Sequence, residues 1–229
     1  MEQRLSCIYA LIRSGRGVID VGTDHGYLPV RLACEGYPGR IYASDLREGP
    51  LAAARRSAEQ SGVSDRIRFL LADGLDGCPP GEVDTIVIAG MGGDTICGIL
   101  DRAEWCMDPA YQLILQPMTK AEVLRYWLCN NGFTVKEERL VEEGDTIYQI
   151  ICAVFSGQNE ALSDAELWIG KRGLADPVVY QKAVDQEIRR IERRISGIRA
   201  GASDTGRRQL SALRERLREL EKLRTEQHD

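Results

Sequence analysis

Five short apolar runs punctuate the first half of the chain: 17–22 (GVIDVG), 40–45 (RIYASD), 66–73 (RIRFLLAD), 83–90 (VDTIVIAG) and 111–116 (YQLILQ). Such runs are apolar throughout, not alternating, and predict strands buried on both faces. Between them, apolar residues recur three and four apart over 27–36, 49–62, 93–103 and 120–132, which predicts helices. The last of these ends on Asn131-Gly132, a left-handed stop. Leu5, Ile8, Tyr9 and Ile12 place another helix over 2–13. Two longer runs, 133–143 and 146–155, flank Glu143-Gly144-Asp145 and predict a β-hairpin. Strands alternating with helices make a parallel sheet with helices on both faces; the hairpin closes it at one edge, giving seven strands. Ligands of such sheets bind beyond the carboxyl ends of the strands.

After about residue 156 the pattern changes. Ser163-Asp-Ala-Glu166 is a capping box. Beyond Pro177, apolar residues at Val184, Ile188, Ile191, Ile195 and Ile198 form one heptad stripe, and Leu210, Leu213, Leu217 and Leu220 form another, with the loop 200–206 between them. Two domains are therefore expected: 1–156, an α/β unit, and 157–229, a C-terminal antiparallel helical hairpin of coiled-coil type.

Charge sharpens this division. Residues 1–170 carry 15 Lys/Arg against 25 Asp/Glu, and residues 171–229 carry 15 against 10. A basic appendage on an acidic body suggests a phosphate-bearing partner, although solvation of an exposed hairpin explains the arginines as well. No run approaches the roughly 20 apolar residues of a membrane helix, and a cytoplasmic location is expected. The seven cysteines are widely spaced with no C-x-x-C, and only His25 and His228 accompany them, so no metal is expected.

The strand ends carry the chemistry. The first reads Asp20-Val21-Gly22-Thr23-Asp24, with Gly22 free to turn tightly against a ligand. The second ends at Asp45-Leu46, where a carboxylate offers two acceptors to a ribose diol. The third ends at Asp73-Gly74, placed to accept from an adenine amine, and the fourth at Ala89-Gly90-Met91-Gly92, almost bare of side chains. Any one aspartate here reads more readily as an N-cap; four marked ends in series are the signal. In a dinucleotide fingerprint a glycine would stand at Asp24. An anion there repels a pyrophosphate and attracts a sulfonium or an amino group, which favours S-adenosylmethionine over a nicotinamide cofactor. No G-K-[ST] occurs, which argues against nucleotide hydrolysis.

The stretches DVGTDHGYLP (20–29), AGMGG (89–93), LQPM (115–118) and LRYWL (124–128) resemble the TrmK family of bacterial tRNA adenine-22 N1-methyltransferases, and the resemblance covers the whole chain. It implies a Rossmann-like class I methyltransferase fold, S-adenosyl-L-methionine as methyl donor and tRNA as partner. Two positions depart from the expected pattern: Gly26, where alanine is expected, and Met118, where asparagine is expected. Transfer to adenine N1 needs no strong base, because the ring nitrogen already presents a lone pair; placement dominates. Asp24 is then the candidate to stabilise charge at the exocyclic amine, with His25 and Tyr27 orienting the base. A structural histidine is the competing account of His25. Phosphate contacts are expected from Arg4, Arg13, Arg16, Lys120 and Arg125, and from Arg189, Arg190, Arg193 and Arg194 in the hairpin. A monomer is expected. The alternatives are a class I methyltransferase acting on a small molecule or protein, and an RNA-binding protein that keeps the fold without turnover.

Overall fold

The computed structural model describes residues 3–198 and 204–225. It divides into two compact units, residues 1–161 and 162–229. In the first, the elements run α1 (Gln3–Leu11), β1 (Gly17–Val21), α2 (Tyr27–Cys34), β2 (Arg40–Asp45), α3 (Glu48–Gln60), β3 (Ile67–Leu71), β4 (Thr85–Gly92), α4 (Gly93–Asp101), β5 (Gln112–Thr119), α5 (Ala121–Asn130), β6 (Phe133–Glu143) and β7 (Thr146–Phe155). They build one seven-stranded sheet in the order β3-β2-β1-β4-β5-β7-β6. The first five strands are parallel, while β7 runs antiparallel to both β5 and β6.

The central strands are as apolar as they are because both faces are covered. Val18 and Ile19 of β1, Ile86, Val87 and Ile88 of β4, and Leu113, Ile114 and Leu115 of β5 have no exposed surface. The strand order reverses between β1 and β4, which are neighbours although β2 and β3 intervene in the chain. That reversal opens a crevice at the carboxyl ends of these two strands.

The second unit holds α6 (Asp164–Ile169), α7 (Pro177–Gly197) and α8 (Asp204–Thr225). The capping box at the start of α6 is formed: the Ser163 hydroxyl accepts the Glu166 N–H, and the Glu166 carboxylate accepts the Ser163 N–H. Asp176 caps α7 by accepting the N–H groups of Val178 and Val179, and Pro177 fills the position where a missing N–H costs nothing. Val184, Ile188 and Ile191 of α7 and Leu213 and Leu220 of α8 are buried, as the two stripes require. Of the loop expected over 200–206, residues 200–203 lie outside the described residues, and 204–206 belong to the first turn of α8.

Among the described residues no helix is long and apolar enough to cross a membrane, and no cluster of His, Cys, Asp or Glu could hold a metal. All seven cysteines are unbridged. Burial pushes the thiols of Cys78 and Cys97 up to about 12 and that of Cys106 up to about 11, so they act as small apolar fillers.

Arg125 and Glu138 form a buried ion pair between α5 and β6, Nε to Oε1 at 2.7 Å, with both side chains almost fully enclosed. This overturns the expectation that Arg125 meets phosphate: its helix face turns inward, where Glu138 compensates its charge. Arg125→Ala leaves a carboxylate buried without its counter-charge and is expected to lower unfolding stability by about 3–5 kcal/mol in urea titrations. The paired replacement Arg125→Met with Glu138→Leu is expected to cost far less, because it removes both charges together.

Candidate functional site

The crevice at the β1–β4 reversal is a cavity of about 630 Å³, within the usual range for a cofactor site. Eleven of the twelve residues expected at the strand ends, together with Tyr27, line it. From the β1 turn come Asp20, Gly22, Thr23 and Asp24; from the β2 end, Asp45 and Leu46; from the β3 end, Asp73 and Gly74; from β4, Ala89, Gly90 and Met91. His25 and Gly92 do not line it.

Each acid is held differently. Asp20 is buried, and its carboxyl is pushed up to about 6, first by burial, with the neighbouring Asp45 charge adding to the rise. The Thr23 hydroxyl donates to its Oδ2 at 2.7 Å and opposes that rise. Asp45 is also buried and accepts two backbone N–H groups, from Arg47 at 2.9 Å and from Asp24 at 3.5 Å. Asp73 is more open and pairs with Arg102, the residue just past α4, at 2.9 Å. Asp24 itself stands with φ 51°, in the left-handed region that Asp tolerates better than most residues. A non-glycine residue held there carries strain of order 1 kcal/mol or more, and such strain gathers at functional sites.

Glycines open the floor. Gly90 has φ 79° and sits where the β4–β5 register slips, so the ladder gives its N–H no partner there; the side chain of Gln116 accepts it instead, at 3.2 Å. Gly22 has φ 74°, and the Met91 side chain closes over it. Gly26 has φ 70° at the start of α2, and a Cβ there would stand 2.9 Å from that of Ala54 on α3. This close approach accounts for glycine where alanine is the expected residue.

Gln116 is fully buried yet reaches the cavity wall; Thr95 from α4 and Arg4, Leu5 and Ile8 from α1 line it as well. Reading by strand ends passes over these residues, since α1 precedes the first strand and nothing in its periodicity says which end faces the crevice. Arg4 lies with its guanidinium 4.6 Å above the Tyr148 ring and donates to the Met118 sulfur at 3.5 Å.

The other expected phosphate contacts separate by edge. Arg13 donates to the carbonyls of Ala110 and Asp84, and Arg16 pairs with Asp84. Both lie at the amino ends of the strands, opposite the crevice, because α1 runs counter to β1. Lys120 pairs with Asp94. In the second unit Arg189, Arg190, Arg193 and Arg194 are exposed along α7.

Comparison with known proteins gives a consistent picture. Residues 1–151 match the family model described as a methyltransferase domain. The tRNA (adenine(22)-N(1))-methyltransferase of Bacillus subtilis strain 168 is 31% identical over 170 residues, which cover 74% of this chain and 71% of the relative. The crystal structure of the B. subtilis m1A22 tRNA methyltransferase TrmK superimposes with a TM-score of 0.83 at 27% identity, covering 98% of each chain. Sp1610 of Streptococcus pneumoniae, solved with S-adenosyl-L-methionine, gives 0.83 at 26% identity over 98% of this chain and 99% of its own. On the family match and the similarity to the B. subtilis enzyme, the protein belongs to the TrmK family of tRNA (adenine(22)-N(1))-methyltransferases, within the wider class of methyltransferase-domain proteins.

Proposed function

We infer that the protein binds S-adenosyl-L-methionine in the β1–β4 crevice and methylates N1 of adenine 22 in tRNA. The observation that carries the cofactor assignment is the pair of buried acids, Asp20 and Asp45, at adjoining strand ends. Two anions enclosed this closely call for a cation or for strong donors, and a methyl donor with an amino group, a sulfonium and a ribose diol supplies both. Asp20 faces the positive groups, Asp45 accepts the ribose hydroxyls, Asp73 accepts from the adenine amine of the cofactor, and the open backbone at Ala89-Gly90-Met91 lies along its flat base. Gly92 ends that stretch at the N-cap of α4. When bound, the cofactor supplies a methyl group on a positively charged sulfur.

The chain's own part in catalysis is placement and charge. Tyr27 at the rim orients the target adenine. Asp24 accepts from its exocyclic amine, where positive charge grows as N1 gains the methyl group. An adenine paired through N1 must first leave its helix, which explains an open rim around the crevice. The exposed arginines of α7 suit the RNA backbone. We assign the chemistry to residues 1–156 and RNA contact to 157–229, in a monomer working in the cytoplasm with its substrate.

The direct test is incubation with undermodified tRNA and labelled cofactor, followed by nucleoside analysis. Label in 1-methyladenosine at position 22 is the expected outcome; label in another nucleoside overturns the substrate. Asp24→Asn keeps a residue that tolerates the left-handed backbone and removes the charge, so kcat is expected to fall about a hundredfold with little change in cofactor affinity. Asp45→Ala removes the ribose acceptors and is expected to weaken cofactor binding about a hundredfold by calorimetry, the loss of two charge-assisted hydrogen bonds.

The pH dependence follows from Asp20. Its carboxyl titrates at about 6 when the cavity holds no cation, so it is neutral below that pH and ionised above it. A cationic ligand favours the ionised form, so binding releases a proton at low pH and affinity rises as pH climbs through about 6. Calorimetry from pH 5 to 8 is expected to show this rise in the wild-type protein and to lose it in Asp20→Asn.

A further inference from the structure

His25 does not line the crevice, although Asp24 before it and Tyr27 two residues beyond it both do. Its ring stacks on that of Tyr27, centroids 5.5 Å apart and planes 24° from parallel. Both rings are open to solvent: Tyr27 is 61% exposed and the His25 side chain 53%. Tyr27 lines the cavity and His25 does not, so the two rings step outward from the rim. The backbone enforces that step, because the residues on either side of His25 are both left-handed, Asp24 at φ 51° and Gly26 at φ 70°. A strained turn that thrusts an aromatic ring into water, beside a second ring and with no apolar cover, costs stability and contributes nothing to the core.

We propose that the His25–Tyr27 pair is a two-place stacking platform, in which Tyr27 takes the target adenine and His25 takes the nucleobase next to it in the RNA. The inference rests on the tRNA reading above and adds a contact outside the crevice. Extracting one base from a stack strips a face from its neighbour, and an aromatic ring offered at that point covers the face again. Every nucleobase has such a face, so the contact works without reading sequence. The geometry weighs against a proton-transfer role for His25. Its Nε2 lies 3.9 Å from Asp24 Oδ2, beyond hydrogen-bond length, and adenine N1 needs no base to expose its lone pair.

The test is steady-state kinetics on tRNA transcripts with wild type, His25→Ala and His25→Phe. Transcripts carrying an abasic residue on the 5′ or the 3′ side of the target adenine are run in parallel. His25→Ala is expected to raise KM for tRNA about tenfold, the size of one lost base–aromatic stack, and to leave kcat and cofactor affinity unchanged. His25→Phe restores KM, because stacking and not ring nitrogen chemistry is what it supplies. An abasic neighbour on one side costs the wild type about tenfold and costs His25→Ala nothing more. The inference is overturned if kcat falls instead of KM rising, if phenylalanine fails to rescue, if cofactor affinity drops, or if the alanine and abasic losses multiply on both sides. A wild type that leaves adenine 22 unmethylated sinks the tRNA reading and this inference with it; a wild type that methylates normally while His25→Ala behaves identically sinks this inference alone.

Discussion

Two carboxylates forced under the surface at neighbouring strand ends set the terms for the rest of this fold. Asp20 and Asp45 lie on paired strands, and the Asp20 carboxyl is raised first by its own burial and further by the charge of Asp45. A core optimised for stability alone would not keep both. The chain meets part of the cost locally, with the Thr23 hydroxyl on Asp20 and two backbone N–H groups on Asp45. What is left over is a standing demand for positive charge in a cavity whose floor is glycine backbone. The same demand explains why Asp24 is tolerable beside them: a third anion at the rim deepens the attraction for a cation and bars a diphosphate.

Much of this was legible before any coordinates. The doubly covered sheet, the hairpin edge, the helix pair and the order of marked strand ends follow from periodicity and punctuation, because parallel topology leaves few alternatives. The acids and glycines of the crevice were readable for the same reason, since strand ends in an open α/β sheet converge on one place. Periodicity assigns residues to helices and strands but not to an edge of the sheet. Arg13 and Arg16 therefore looked equivalent to Arg4, although they sit at the opposite ends of the strands, engaged with Asp84. Arg125 was illegible for another reason: its partner Glu138 lies on a different element, and a buried ion pair leaves no local trace in the chain.

Gln116 stands between these cases. Its position at the end of β5 was visible, but its task depends on a register slip in the neighbouring strand, where Gly90 loses its ladder partner. A glutamine that replaces a missing backbone acceptor cannot be told from any other glutamine by pattern. It becomes legible only when the hydrogen bonds of the bulge are counted one by one.

The left-handed backbone at Asp24 carries an implication for how this loop can evolve. Two independent filters act on one codon: the conformation admits glycine, asparagine and aspartate readily, and the electrostatics of the rim admit an anion. Only aspartate passes both. Glutamate, which keeps the charge, fails on the backbone, and asparagine, which keeps the backbone, fails on the charge. A position squeezed from two unrelated directions should resist drift more firmly than either pressure alone would suggest, so close homologues that differ freely around the loop should still agree here.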